Sequence, residues 1–201
     1  MSTEIYIEGG AAGADSKDLQ IRCREGFRKL LEKCGYKGRM PRLFACGSRG
    51  ATFDDFKVGI AGMVRGDYVA MWIDSEDPLS DIDKTWDHLK RRDNWDKPIG
   101  ATDDQVLLMT TCMETLIIAD RDALSNHYNN LQITALPALV DLENRCRHDI
   151  QENLYQATRN CSNAYLKGKR SYETLSKLTP KTLEKYLPSF VRSRRILDAK
   201  L

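Results

Sequence analysis

The sequence predicts an α/β fold: a mostly parallel four-stranded sheet flanked by helices, with a helical C-terminal extension. Three observations point there. Short apolar segments alternate with longer segments of helical periodicity over residues 4 to 74, and strand–helix–strand succession closes into a parallel sheet with helices on its faces. The third strand-like run, Tyr68-Val69-Ala70-Met71-Trp72-Ile73, is apolar throughout, as a strand covered on both faces requires. Acids stand directly after two of these runs, Glu8 after the first and Asp74-Ser75-Glu76-Asp77 after the third. In open parallel sheets, ligands and catalytic groups collect at that carboxyl edge.

Glu4-Ile5-Tyr6-Ile7-Glu8 is the first strand. A Gly/Ala-rich turn over residues 9 to 14 then leads to Asp15-Ser16, residues suited to capping a helix. Leu19, Cys23, Phe27, Leu30, Leu31 and Cys34 recur at helical spacing until Gly35 and Gly38 stop the helix. Arg42-Leu43-Phe44-Ala45-Cys46 is a short second strand. Gly47-Ser48-Arg49-Gly50 turns the chain into a second helix marked by Phe53, Phe56, Ile60, Met63 and Val64. After the third strand, residues 78 to 105 are polar, aromatic-spotted and irregular. Residues 106 to 109 form a fourth strand and 112 to 119 a helix. Beyond Asp120 the pattern is helical to the end, broken near Pro137, Gly168, Pro180 and Pro188. The expected organisation is an α/β core over residues 1–125, carrying the insertion 78–105, and a basic helical extension over 126–201 packed on the core.

A chain of 201 residues, 41% hydrophobic and 30% charged, has enough apolar material for a buried core and is not of disordered composition. No apolar run approaches the ~20 residues of a membrane span, and the first residues lack a signal-peptide succession, so a cytoplasmic protein is expected. Cys23, Cys34, Cys46, Cys112, Cys146 and Cys161 are scattered without a C-x-x-C pair. Reduced structural cysteines are expected rather than a zinc cluster or a disulfide framework. The net charge of +2 conceals an asymmetry: residues 145–201 carry 13 Lys and Arg against 5 Asp and Glu, a surplus of +8 that leaves −6 on residues 1–144. Such a balance suits an acidic metal-holding part and a basic part that meets a polyanion, and equally a helix with a solvated basic face.

At the carboxyl edge, acids from two chain segments repel each other unless a cation sits between them. Asp74 and Glu76 are two apart and point the same way on extended backbone. If the first and third strands are neighbours, about 4.8 Å apart, Glu8 and Asp74 share one ion or one water. Oxygen ligands without His or Cys favour Mg²⁺ or Mn²⁺ over Zn²⁺. Strand-end acids also serve as helix caps or solvated turns. Glu114 opens the helix after the fourth strand, as a member of the same edge or as an acid suited to a helix amino end. Asp103-Asp104 is ligand, cap or loop. Trp86, His88, Lys90, Arg91, Arg92 and Trp95 mix cations with flat rings; packing suits the tryptophans, and phosphate contact suits the basic run. His88, His127 and His148 show no ligand spacing. Gly9-Gly10-Ala11-Ala12-Gly13 is not a dinucleotide fingerprint, and no P-loop motif occurs.

Glu8-Gly9 after a first strand, with Asp74-x-Glu76 after a third, resembles the Toprim domain of topoisomerases, primases and overcoming-lysogenization-defect nucleases. A closer resemblance is to a family of small Toprim-like bacterial proteins, long a domain of unknown function, whose members resemble partners of ABC-type ATPases in anti-phage defence. The motifs that carry it are Ile5-Tyr6-Ile7-Glu8-Gly9, Arg22-x-Arg24-x-Gly26-Phe27-Arg28-Lys29-Leu30-Leu31, Ile73-Asp74-Ser75-Glu76-Asp77-Pro78, His88-Leu89-Lys90-Arg91-Arg92-Asp93, Gly100-Ala101-Thr102-Asp103-Asp104-Gln105 and Cys112-Met113-Glu114-Thr115. The similarity spans roughly residues 4 to 178. The general Toprim pattern is Asp-x-Asp, whereas this chain reads Asp74-Ser75-Glu76-Asp77, which leaves the second place to Glu76 or Asp77.

The resemblance implies a Toprim-like fold in which Glu8 is a general acid/base or a metal ligand, while Asp74 and Glu76, with Asp77, hold Mg²⁺. It implies a catalytic set of Glu8, Asp74, Glu76, Glu114 and Lys167, the last because Tyr165-Leu166-Lys167 resembles a Tyr-x-Lys pattern of related defence nucleases. Lys90, Arg91 and Arg92 would contact nucleic acid. The expected function is a Mg²⁺-dependent nuclease acting on DNA or RNA, tRNA included. It would be the effector of a defence system controlled by an ABC-type ATPase partner, with a homodimer possible on release. A non-catalytic Toprim-shaped subunit docking on the ATPase is the alternative, and a phosphatase on a similar sheet a weaker third.

Overall fold

The computed structural model describes residues 2–10 and 16–201. Four parallel strands, β1 (Thr3–Glu8), β2 (Arg42–Gly47), β3 (Tyr68–Asp74) and β4 (Val106–Met109), form one sheet in the order β2-β1-β3-β4. Helices α1 (Ser16–Leu31), α2 (Arg49–Gly62) and α3 (Thr85–Asp93) connect the first four strands in turn. After β4 come α4 (Met113–Ala119), α5 (Arg121–His127), α6 (Arg147–Thr158), α7 (Lys169–Leu175), α8 (Pro180–Tyr186) and α9 (Pro188–Lys200). The architecture is α/β with flanking helices and a helical C-terminal part, consistent with a Toprim-like fold. The expected cap at Asp15 and most of the turn before it lie outside the described residues.

The pleat divides the strands between two apolar layers. Ile5, Ile7, Tyr68, Ala70, Trp72, Leu107 and Met109 face α1 and the C-terminal helices. Tyr6, Val69, Met71, Ile73, Val106 and Leu108 face α2 and α3. Alternate residues of a strand point to opposite faces, so a strand covered on both sides is apolar throughout, and all seven residues of β3 are buried. Trp72 is 1% exposed, with its ring 5.1 Å from that of Phe27. Removing so large a side chain from a packed core costs about 3–5 kcal/mol.

Residues 78–105 are more regular than the sequence suggests, because α3 lies within them. Trp86 and Leu89, three apart, bury one face of this short helix against Phe53 and Phe56. The Asp103 carboxylate caps it from outside, accepting from the Trp86 backbone N–H at 3.0 Å and the Thr85 hydroxyl at 3.0 Å. Asn94 ends it in the left-handed conformation. Trp95 stacks on Phe53 at 4.2 Å.

The reverse correction applies to residues 128–146, expected to be helical with one break. They carry only two single 3-10 turns, Ile133–Ala135 and Leu142–Asn144. Leu142 is fully buried, and Leu131, Leu136 and Leu139 lean on the same core; they pack from an irregular path around Pro137. Pro180 and Pro188 stand at the first positions of α8 and α9, where the missing N–H costs nothing.

The C-terminal helices are integral to the core. Leu154, Leu175, Leu183, Phe190 and Leu197 share one cluster with Ile5 and Trp72. Gly26 lets α7 touch α1, since a Cβ there would stand 2.7 Å from the Tyr172 carbonyl. Arg192, 4% exposed, ties α9 to β4 by donating to the Val106 and Asp103 carbonyls, each at 2.8 Å. Cys23, Cys34, Cys112 and Cys161 are buried and Cys46 is half-buried. Cys146 is exposed, which departs from the buried role expected of it. No described helix is long and apolar enough to cross a membrane.

Candidate metal centre

Because β1 pairs directly with β3, with Ile7 opposite Trp72, Glu8 and Asp74 leave the sheet side by side. The Asp74 backbone N–H donates to Glu8 Oε2 at 3.0 Å. Beyond β3 the chain stays bonded to the segment after β4: Ser75 N–H donates to the Met109 carbonyl at 2.9 Å and Glu76 N–H to the Thr111 carbonyl at 2.8 Å. Glu76 itself is left-handed, with φ 70°, a conformation that costs a side-chain-bearing residue about 1–3 kcal/mol. One carboxylate oxygen from each of Glu8, Asp74 and Glu76 lies within 4.8 Å of the other two.

Burial opposes ionisation here. It pushes the Glu8 carboxyl above its ordinary value, against the Arg49 guanidinium and the Asp74 N–H, which pull it down. Asp74 is raised well above the ordinary range, first by burial and then by the charges of Glu8 and Glu114. Its Oδ1 accepts the Met113 N–H at 2.8 Å, where α4 begins.

Three arginines rim the acids. Arg49, at the first position of α2, reaches both oxygens of Asp93 at 3.2 and 2.8 Å, lies 3.6 Å from Glu8 Oε2, and donates to the Asp74 carbonyl. It also stands over Trp95 at 5.1 Å. Arg92 Nη2 lies 3.2 Å from Glu76 Oε2, and Arg147 Nη1 pairs with that same oxygen.

Of the residues singled out in the sequence, Glu8, Asp74 and Glu76 converge. Asp77 does not join them: its side chain is 67% exposed and pairs with Arg92 at 3.3 Å. Lys167 lines a cleft of about 280 Å³ together with Glu8, Asp74, Glu114, Gly10 and Tyr172. Glu114, 1% exposed, accepts from the Tyr165 hydroxyl at 2.6 Å and from Gln151 at 3.3 Å. It therefore anchors the Tyr165-Leu166-Lys167 segment beside the acids. Of the basic run, Arg92 meets the acids, Lys90 pairs with Asp96 at 2.8 Å, and Arg91 is exposed. Asp103 is a helix cap. His88 is buried with Nε2 2.9 Å from the Ser75 carbonyl, outside the carboxylate group.

Arg49, Asp93, Arg147 and Tyr172 are members that sequence reasoning missed. Arg49 follows β2 at the same carboxyl edge, so its place in the order of elements was a usable signal. Arg147 had none, because the path of residues 128–146 brings it back. Tyr172 accepts the Gly10 N–H at 2.7 Å, and a Cβ on Gly9 would stand 2.5 Å from its hydroxyl.

The donor set fits a hard divalent cation: three carboxylates from two chain segments, with Glu8 held above its ordinary pKa by burial and Asp74 by burial and neighbouring acid charge. Fold and edge together define an α/β protein with a carboxylate triad at the carboxyl ends of its central strands. A family model described as Domain of unknown function (DUF4276) matches residues 16–193, and the chain belongs to that family. The match takes in Asp74, Glu76, Glu114 and Lys167 and begins after Glu8. No curated protein and no solved structure matches the chain.

Proposed function

We propose that this protein is a Toprim-like, Mg²⁺- or Mn²⁺-dependent nuclease that cleaves phosphodiester bonds of DNA or RNA. The observation that carries the reading is the approach of Glu8, Asp74 and Glu76 to within 4.8 Å of one another from separate segments. Asp74 and Glu76 would hold the cation, with Glu8 as a further ligand or as the group that moves a proton at the attacking or leaving oxygen. A bound divalent cation supplies Lewis-acid polarisation of the phosphate and stabilises charge on the leaving oxygen. Lys167, on the wall of the same cleft, would neutralise charge on the phosphate as a point cation. Glu114, through Tyr165, would position that lysine.

By the same family resemblance, the nuclease is an effector held inactive by an ABC-type ATPase partner in anti-phage defence. The second reading, a non-catalytic subunit docking on such an ATPase, draws on one observation: Glu76 is paired with two arginines, so the edge is partly neutralised by the chain's own cations.

Purified protein incubated with Mg²⁺ or Mn²⁺ should nick or cut single- or double-stranded DNA or RNA. Glu8→Gln should lower that activity at least a hundredfold with an unchanged circular dichroism spectrum. Wild-type protein that cuts none of these substrates with either metal, in the presence or absence of a co-expressed ATPase, would leave the subunit reading.

A further inference from the structure

Arg147 stands out among the cations of the edge. Arg49 is shared between Asp93, Glu8 and the Asp74 carbonyl, and Arg92 between Glu76, Asp77 and Asp93. Among the described residues, the only carboxylate paired with Arg147 is Glu76. The two guanidiniums of Arg92 and Arg147 meet at one oxygen, Glu76 Oε2, as two forks meet at a phosphate oxygen. That carboxylate also has an oxygen within 4.8 Å of Glu8 and Asp74. A cation bound among the three acids would compete with Arg147 for the Glu76 carboxylate.

We infer that Arg147, assisted by Arg92, is a phosphate clamp for a polynucleotide backbone, and that Glu76 holds the place of the phosphate until a divalent cation draws it away. The inference rests on the metal-dependent reading of the edge. Glu76 is suited to this exchange because it lies beyond the end of β3 in the left-handed conformation, its backbone held by the Thr111 carbonyl and its side chain outside the pleat, while Glu8 and Asp74 are strand residues. The Arg147 side chain is 29% exposed, so a freed guanidinium meets solvent and ligand rather than a sealed interior. A phosphodiester arriving there would lie beside the three carboxylates that would hold the cation. Arg147 would orient it by paired N–H donors, which a lysine does not reproduce.

The test is fluorescence anisotropy with a labelled single-stranded oligonucleotide, as DNA and as RNA, with Ca²⁺ in place of Mg²⁺ to suppress cleavage. It is repeated over a range of salt concentrations. Arg147→Gln should weaken binding about tenfold and lower the salt slope by about one, with Arg147→Lys intermediate. Arg92→Gln should do the same more weakly, since Asp77 and Asp93 compete for it. Calorimetric titration of Ca²⁺ alone should show unchanged or tighter cation binding in Arg147→Gln, because a competitor for Glu76 is gone. Variants that keep wild-type affinity and slope, while the wild type binds the cation, overturn the clamp alone. A wild type that takes no divalent cation overturns the metal reading, and with it the release of Arg147. Competition by inorganic phosphate at concentrations comparable to the oligonucleotide would overturn the polynucleotide assignment.

Discussion

Glu8 and Asp74 are carboxylates placed where burial opposes ionisation, reinforced at Asp74 by the charges of Glu8 and Glu114, and the chain answers with Arg49 rather than with apolar replacements. Such an edge is poised to gain from one more positive charge. A third raised carboxyl lies away from it. Burial pushes Glu143 up to about 7, against hydrogen bonds from the Ser189 N–H and hydroxyl that favour its charged form. Its folded value exceeds the ordinary 4.5, so the folded state binds the proton more tightly than the unfolded chain. Its contribution to stability is complete below about pH 4.5 and is lost as pH rises through about 7. Melting temperatures of Glu143→Gln and wild type, taken from pH 4 to 8, should diverge in that window, with the wild type declining more steeply. Parallel curves would show that Glu143 titrates as an ordinary carboxyl.

Among the elements, the decisive link joins α4 to the segment before α7. Glu114 and Tyr165 are both buried and bonded to each other at 2.6 Å, and Lys167 follows two residues on. Tyr165→Phe should therefore cut Mg²⁺-dependent cleavage about tenfold, and Lys167→Ala should add little to it in the double variant. Additive losses in the pair would separate the tyrosine from the lysine. The four strands and helices α1 and α2 were legible because their apolar positions run continuously or repeat at helical spacing over whole elements. Helix α3 was hidden by its length: Trp86 and Leu89 are too few to show a period, and its cap, Asp103, stands beyond its end. Residues 128–146 misled for the opposite reason. Leu131, Leu136, Leu139 and Leu142 supply apolar spacing without a helix. The acids at the strand ends were readable from β1 and β3. Arg147 was not, since its place follows from the course of that irregular segment.

For the whole molecule, the topology is what makes a site. The order β2-β1-β3-β4 sets β1 beside β3, so acids about 66 residues apart in sequence leave the sheet together. The C-terminal helices close one face of that sheet and return Lys167 and Arg147 to its edge. The basic surplus of residues 145–201 is thus divided: Arg147 and Lys167 stand at the acids, whereas Arg192 and Arg194 are bound within the fold by carbonyls and carboxylates. Metal-dependent cleavage at this edge requires the triad to take a divalent cation, and titration of Mn²⁺ followed by electron paramagnetic resonance measures that directly. The wild type should bind about one Mn²⁺, displaced by excess Mg²⁺. Glu8→Gln and Asp74→Asn should each bind at least tenfold more weakly while melting no lower than wild type. Wild-type protein that leaves Mn²⁺ free, or variants that bind it equally well, would contradict the account.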